Sequence, residues 1–433
     1  MVHFPVMKFG GASLADGAAV RRVCAVVAQC ANQRPAVVVS AHAGVTALLE
    51  REARAAAAGK ARGDEVRVRH HTLLSQLGLD PELLDRHLWE LASILDELRG
   101  RGRMREGELD FVLSFGERMS SRVVAACLRA GGVAATPVDA FDLGLTSDGA
   151  QGAVPHQAAF HSAARSALQS VPGIPVVTGF LAQDGAGNLT TLGPNGSDLT
   201  AALLAEALGA GEVQLWKTVP GVMSADPGLV PEAHLIEAMS FSVAAELAGQ
   251  GAEVLHPRAL EPARRAGLPV RVLDVTQPAA GGTLIEGRDE PERGDGAVAV
   301  ASEPALAALF RPGGSLALAG LFSRMDSESV APRFTVAERG GLTVFAPAGE
   351  GIKRVASGVR GASIERQVAS VSVVGHGGAV LGARALELLS GDGIEVERAF
   401  LGSGLVQAFL IDPAQRVAAV RALHAGLLEV ALA

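Results

Sequence analysis

The chain has 433 residues, 48% of them apolar and 19% charged, and its 38 basic and 46 acidic side chains give a formal charge of −8. This length and polarity predict a globular chain of two or three domains, while the acidic balance, 4% aromatic content and lack of tyrosine argue against a basic, aromatic nucleic-acid surface. No apolar run reaches the roughly 18 residues of a bilayer span, and the first motif begins at Lys8, too early for a signal peptide, so the expected location is cytoplasmic with no membrane partner. Cys24, Cys30 and Cys127 show no C-x-x-C spacing, which predicts free thiols rather than a disulfide framework or a zinc site.

In chain order, a strand-like run ends in Lys8-Phe9-Gly10-Gly11-Ala12-Ser13. Val20, Val23, Cys24, Val27 and Cys30 then recur at helical spacing, with Asp16 placed to cap that helix. A β-rich run at 36–41 leads into Ser40-Ala41-His42-Ala43-Gly44-Val45-Thr46, a strand-to-helix loop. Residues 48–131 read as mostly helical, the charges of 50–69 as a solvated face and His70-His71 as surface. Within that stretch 111–115 reads as a strand, and Glu117 as opening the helix that follows. Further β-rich runs at 175–180, 213–219 and 270–275 alternate with helical segments, which predicts an α/β layer fold with a largely parallel sheet. A second glycine loop, Gly193-Pro194-Asn195-Gly196-Ser197-Asp198, runs into an Ala/Leu-rich helix. The Gly/Pro/charge-rich stretch 277–296 reads as a linker closing a first domain at 1–290. In 297–433 a strand, glycine-turn, helix, strand order occurs twice, predicting two small ββα-type modules that bury their sheets by pairing.

Two glycine loops at helix N-termini, one preceded by a lysine and the other ending in an aspartate, point to a phosphoryl-transfer site. Free backbone N–H groups and an ammonium hold phosphate oxygens, so Lys8 is the candidate cation that neutralises the moving group. Asp198 is the candidate carboxylate that orients it. Glu117 is placed to take a substrate ammonium, its bland alternative being a first-turn acid that favours a helix. Ser40 and Thr46 can reach a carboxylate or merely cap. Gly185-x-Gly187 lacks the rest of a dinucleotide fingerprint.

These residues resemble the aspartate kinase family of the amino-acid kinase fold, over nearly the whole chain. Lys8 to Ser13 is similar to the family's K-F-G-G-[TS]-S, Ser40 to Thr46 to its S-A-x-x-x-x-T loop, and Phe115 to Ser120 to its G-E-x-x-S segment. Gly179-Phe180, Gly196-Ser197-Asp198, Gly221 to Pro227, Leu255-His256-Pro257 and Gly281-Gly282-Thr283 follow in family order. The resemblance implies a three-layer αβα kinase domain followed by tandem ferredoxin-like ACT domains at 297–433. It also implies ATP-dependent phosphorylation of the side-chain carboxylate of L-aspartate, toward lysine, threonine and methionine. On it, Lys8 and Asp198 are catalytic, and Ser40, Thr46, Glu117, Phe180 and Ser197 bind substrate. Gly10, Gly11, Ser13, Trp216, Lys217, Gly221 and Asp226 approach ATP, Mg²⁺ rides on the phosphates without a protein cage, and a homodimer forms through the ACT edges, with an amino-acid effector.

Several positions depart from the family pattern. The second loop usually reads G-R-G-G-S-D, its arginine gripping the α-carboxylate, whereas here Pro194 and Asn195 stand in that place. Thr218 replaces an aspartate, Gly228 an arginine, Glu253 a lysine and Ala12 a hydroxyl residue. His42, Arg118 and Arg122 are the replacement donors the sequence offers, His42 otherwise bonding locally. Arg333 stands near where lysine-inhibited relatives carry an acid. A kinase for another small amino acid and a weakly catalytic amino-acid-sensing subunit therefore stay open beside aspartate kinase.

Overall fold

Short β-branched runs buried on both faces, alternating with longer helices, build a parallel sheet, because each crossover helix covers one face of it. The structure is a computed structural model that describes residues 4–60, 64–149, 155–251, 256–287, 296–328, 330–338, 340–402 and 404–429. It divides into two units, the first made of Met1–Val222, Glu237–Phe241 and Arg258–Arg288 and the second of Met223–Ile236, Ser242–Pro257 and Asp289–Ala433.

In chain order the elements up to residue 208 are β1 (Pro5–Phe9), α1 (Gly17–Gln29), β2 (Ala36–Val39), α2 (Val45–Ala57), α3 (Glu65–Leu77), α4 (Asp85–Arg101), α5 (Glu108–Ala130), β3 (Ala135–Val138), β4 (Thr146–Ser147), β5 (Pro155–His156), α6 (Gln157–Gln169), β6 (Ile174–Thr178), β7 (Leu181–Gln183), β8 (Leu189–Thr191) and α7 (Gly196–Leu208). There follow β9 (Glu212–Lys217), β10 (Ala238–Met239), α8 (Phe241–Gly249), α9 (Pro257–Ala266), β11 (Val270–Asp274) and β12 (Thr283–Ile285). The main sheet has the order β10-β12-β11-β9-β1-β2-β6-β3 and is parallel except where β11 meets β12. A small second sheet runs β5-β4-β7-β8. The expected α/β fold with a mainly parallel sheet is what forms. Asp16 caps α1 as its position predicts, its Oδ1 accepting the Ala19 N–H at 2.8 Å.

Two local readings need correction. Residues 111–115 are helical, inside α5, and Glu117 lies well inside that helix rather than at its start. Within 111–115 four residues are buried and none is charged, so this short run shows no polar face of its own and also fits a strand. His70 is not at the surface: it is 1% exposed on α3.

The second unit carries β13 (Ala297–Pro312), α10 (Ser315–Ser327), β14 (Phe334–Glu338), β15 (Gly341–Pro347), α11 (Glu350–Gly358), β16 (Ser363–Gly375), α12 (Gly378–Gly391), β17 (Val396–Phe400), β18 (Val406–Ile411) and α13 (Arg416–His424). Each module is therefore βαββα rather than ββα, the first five elements of the ferredoxin-like order βαββαβ. The two share one antiparallel sheet, β14-β15-β13-β16-β18-β17, through the long central pair β13 and β16. Period-two alternation along β13 sends Ala307 and Leu309 into a cluster with Leu321 of α10 and Val355 of α11. Leu306 and Ala308 go to the other face, with Phe345, Val368 and Leu410. Register shifts along the β13–β16 pair bend it, and Phe334 of one edge strand stacks on Phe400 of the other, ring centroids 4.6 Å apart. These two rings thus meet over the helix-free face, which becomes an interior, while the backbones of β14 and β17 stay unpaired at the ends of the sheet order.

This stack is testable. Phe334→Ala and Phe400→Ala should each destabilise the second unit, and a double-mutant cycle read by denaturant unfolding should give a coupling of about 0.5–1.5 kcal/mol. Strict additivity would mean that the two edges do not support each other.

Candidate active site

The site forms at the carboxyl ends of the parallel strands, where the chain leaves β1, β2, β6 and β9 for helices or loops. Register explains its charges. Lys8 of β1 lies opposite Leu215 of β9, so Lys217, two residues on, points to the same face as Lys8. The odd partners, Phe9 and Trp216, point the other way and stack at 6.0 Å in the core. The N-terminus of α7 then brings Asp198 between the two ammoniums. Lys8 Nζ is 2.6 Å from Asp198 Oδ1, and Lys217 Nζ donates to Oδ2 at 3.1 Å. Lys8 is 5% and Asp198 1% exposed.

Burial pushes the Asp198 carboxyl up, but the ammoniums of Lys8 and Lys217 outweigh it and hold it below its ordinary value. Burial lowers the Lys8 ammonium, and the Lys217 charge adds to this, while Asp198 opposes both. Two ammoniums on one carboxylate leave about one unit of positive charge uncompensated. A buried surplus of that kind is stabilised by an arriving anion.

Glu117 sits on the same side. Its Oε1 accepts the Ala41 N–H at 3.0 Å, and Oε2 is buried with no hydrogen-bond partner among the described residues. Burial raises this carboxyl to about 8, against the opposing pull of the Ala41 and Glu117 N–H groups and the Lys8 charge. Gly116 permits the contact, since a Cβ there would come within 2.8 Å of the Ala41 Cβ. Ser40 is half-buried in the same loop, and Thr46 is half-buried in the first turn of α2.

The second glycine loop is held by close backbone approach. A Cβ on Gly179 would meet Ser197 Cβ and Oγ at 2.5 Å, and one on Gly196 would meet Leu192 Cβ at 2.9 Å. Phe180 and Asn195 adopt left-handed backbone, φ +68° and +58°. Phe180 N–H is anchored on Thr200 Oγ1 at 3.1 Å, and Thr200 in turn donates to Gly196 O. Asn195 is among the few non-glycine residues that tolerate this conformation, so the loop keeps its path despite the substitution.

Sequence reasoning expected Lys8, Glu117, Asp198 and Ser197 together, and the fold gathers them. Ser13 and Trp216 have a different place from the nucleotide-facing one expected of them. Ser13, 1% exposed, donates to the Trp216 carbonyl at 3.2 Å, and the Trp216 ring is core. Together they tie the first loop to β9. Gly10 and Gly11 follow β1; a Cβ on Gly11 would approach Ala41 O to 3.0 Å. Gly221 is buried, beside Val222, whose N–H donates to Thr283 Oγ1. Asp226 falls in the second unit and accepts the Gly228 N–H at 2.8 Å. Thr218 is exposed at the end of β9, and Glu253 lies outside the described residues. Arg122 is not free to serve as a donor, being bidentate on Asp139 at 2.5 and 2.8 Å. Arg118 pairs through Nη2 with Glu90 at 3.1 Å, while its Nε and Nη1 are buried with no hydrogen-bond partner among the described residues.

Three features escaped the sequence. The Ala41 N–H as a clamp on Glu117 carries no side-chain signal. Asp274 ends β11 in register with Lys217, and an acid at the carboxyl end of a parallel strand was the available cue. Arg258 of α9 donates to the Leu192 carbonyl at 3.3 Å, at the entry of the second loop, a contact across 66 residues.

A family model for the amino acid kinase family matches residues 4–274. The chain belongs to the amino acid kinase family. Aspartokinase 1, chloroplastic, of Arabidopsis thaliana is 36% identical over 295 residues, covering 65% of this chain and 51% of that protein. Lysine-sensitive aspartokinase 3 of Escherichia coli K12 is 37% identical over 298 residues, 67% of this chain and 66% of that protein. The chain thus spans about half the length of the Arabidopsis relative. Among solved structures, E. coli aspartokinase III in complex with aspartate and ADP superposes with a TM-score of 0.80 at 28% identity, over 98% of this chain and 99% of that one. The same enzyme with lysine and aspartate gives 0.78 at 28% identity, over 98% and 99%.

The close approach at Gly179 gives a direct check. Gly179→Ala should cost about 1–3 kcal/mol and lower the thermal midpoint, whereas Gly185→Ala, with nothing within 4 Å of its Cβ, should leave it in place. Equal midpoints for the two variants would refute the close approach of Gly179 to Ser197 of α7.

Proposed function

We propose that this chain is an aspartate kinase, which transfers the γ-phosphoryl group of ATP to the side-chain carboxylate of L-aspartate and gives 4-phospho-L-aspartate for lysine, threonine and methionine biosynthesis. The buried Lys8–Asp198–Lys217 cluster, with the unpartnered Glu117 Oε2 on the same side, carries the reading. The names of the relatives and the aspartate and ADP held by the E. coli enzyme support it.

The reaction joins two anions, a carboxylate and a phosphate, so charge neutralisation dominates its barrier. Lys8 and Lys217 supply that charge, and Asp198 fixes where their ammoniums point without itself attacking. Glu117 receives the α-ammonium of the amino acid, and Ser40, Thr46, Phe180 and Ser197 line its place. With proline at 194, the α-carboxylate is left to backbone N–H groups of the second loop and to Arg258. Gly10 and Gly11 let the phosphates approach β1. Asp198, the buried carboxylate of the cluster, is already matched by two ammoniums, which fits a magnesium ion carried on the phosphate oxygens rather than in a protein cage. When bound, that ion neutralises phosphate charge.

The ferredoxin-like second unit is read as an amino-acid-responsive ACT pair. Its Arg333 is engaged by Glu303 at 2.7 Å, so that acid is already matched by a cation, which disfavours a lysine effector there. The outer sides of β14 and β17 are the sheet's edges, and pairing them across a two-fold axis gives the expected homodimer. Light scattering at micromolar concentration should return twice the chain mass.

Two kinetic measurements test the assignment. Lys8→Ala should lower kcat by about 10²–10³-fold in an ADP-release assay over a panel of amino acids, with turnover in the wild type only on aspartate. Turnover on another amino acid, or none on any, overturns the substrate. The second measurement is pH dependence. An ammonium pairs with ionised Glu117, and this carboxyl is protonated below about 8 in the empty site. The KM for aspartate should therefore rise as pH falls from 8 toward 6, by up to tenfold per unit, and Glu117→Gln should flatten the profile.

A further inference from the structure

Helices α1 and α5 pack against each other in the core of the first unit, and each brings a cysteine to the contact. Cys24 of α1 is 9% exposed, and Cys127 of α5 is half-buried. Cys24 Sγ lies 3.9 Å from Val124 O, one turn before Cys127 on α5, and residues three apart share a helix face. The two thiols are thereby within hydrogen-bonding reach of each other, and both are free. They differ in reactivity. The Cys24 thiol beside it holds Cys127 below its ordinary value, with the Arg21 charge assisting and burial opposing. The same contact, followed by burial, pushes Cys24 up. Cys30, just past the end of α1, is pushed up by burial and by the Glu212 carboxylate.

We propose that Cys24 and Cys127 form a reversible oxidation site, at which a peroxide joins them into a disulfide that staples α1 to α5. In such a pair the more accessible and more acidic thiol attacks, and its buried neighbour resolves the product. The Cys127 thiolate attacks one peroxide oxygen, the O–O bond breaks, and the departing hydroxide takes the proton that Cys127 released and leaves as water. Cys127 is now a sulfenic acid. The Cys24 sulfur attacks the Cys127 sulfur, the S–O bond breaks, and the leaving hydroxide takes the Cys24 proton. Two thiols and one hydrogen peroxide thus become one disulfide and two waters, and a dithiol reductant reverses the step by exchange. The bond closes residues 24–127 into a loop that contains the substrate loop and Glu117. Since α1 follows the first glycine loop and α5 carries Glu117, it ties together the helices behind two parts of the site.

The test treats the reduced full chain with hydrogen peroxide, alkylates it under denaturing conditions, and reads the intact mass and a peptide map. Before oxidation three alkyl groups add, one per cysteine. Afterwards a single group should add, and fragmentation should place it on Cys30 with the new bond between Cys24 and Cys127. Dithiothreitol should restore the full count. Cys24→Ser should leave Cys127 as a sulfenic acid that dimedone labels, and Cys127→Ser should leave Cys24 alkylated in full. The full count after peroxide, a bond that includes Cys30, or a sulfinic Cys127 beside a free Cys24 overturns the proposal. Should either variant fail to fold, the wild-type map decides by itself.

Discussion

One buried carboxylate between two ammoniums organises the first unit. Asp198 is 1% exposed, and an isolated charge at that depth costs several kcal/mol, so the cluster survives only if its geometry is good. That condition propagates outward. It fixes the register of β1 against β9, because a slip of one residue would send Lys8 to the face now occupied by Phe9. It fixes the height of α7 above the sheet, and hence the glycines at 179 and 196, where no side chain fits. The strained backbone of Phe180 and Asn195 belongs to the same account, since left-handed residues cost about 1–3 kcal/mol and persist where surrounding contacts over-determine them.

The second unit solves a different problem with the same alternation. An antiparallel sheet with helices on one side leaves an apolar face, and two small modules cannot each afford that exposure. Sharing β13 and β16 makes one sheet of the two, and the Phe334–Phe400 stack closes it around Leu306, Phe345 and Leu410. Bending the central pair is the cost, visible as register shifts near Glu303 and Leu306. Residues 363–375 serve both modules within one strand, which is why a repeat read from strand and turn order missed the second strand and second helix of each.

What the sequence made legible follows from how each signal is encoded. Lys8, Glu117 and Asp198 stood out because charged residues beside glycine loops are rare and positionally specific. The parallel sheet was legible because its strands are continuous β-branched runs. Residues 111–115 fit a strand for the opposite reason: five residues are too few to show the helical period of α5, and Phe-Val-Leu-Ser-Phe satisfies either template. His70 was misplaced because a charged neighbourhood in sequence says little about one residue of a helix turned inward. The Ala41 clamp and the Ser13–Trp216 tie use backbone atoms, which every residue possesses, so no composition rule could reveal them.

The second glycine loop separates two demands that the family motif merges. One is conformational: position 195 must be left-handed, and asparagine meets that at modest cost because its side chain tolerates the region. The other is electrostatic: an amino acid's α-carboxylate wants a cation, and proline at 194 offers none. Since Gly193 and Asn195 hold the path on either side, Pro194 changes the charge presented to a ligand without moving the backbone that presents Ser197 and Asp198. The arginine that the fold brings to this loop arrives instead from α9, through the contact of Arg258 with Leu192 O. A loop whose shape is set by positive φ and close packing can therefore lack a cation of its own and still hold Asp198 in place, because the charges that fix this carboxylate come from β1 and β9.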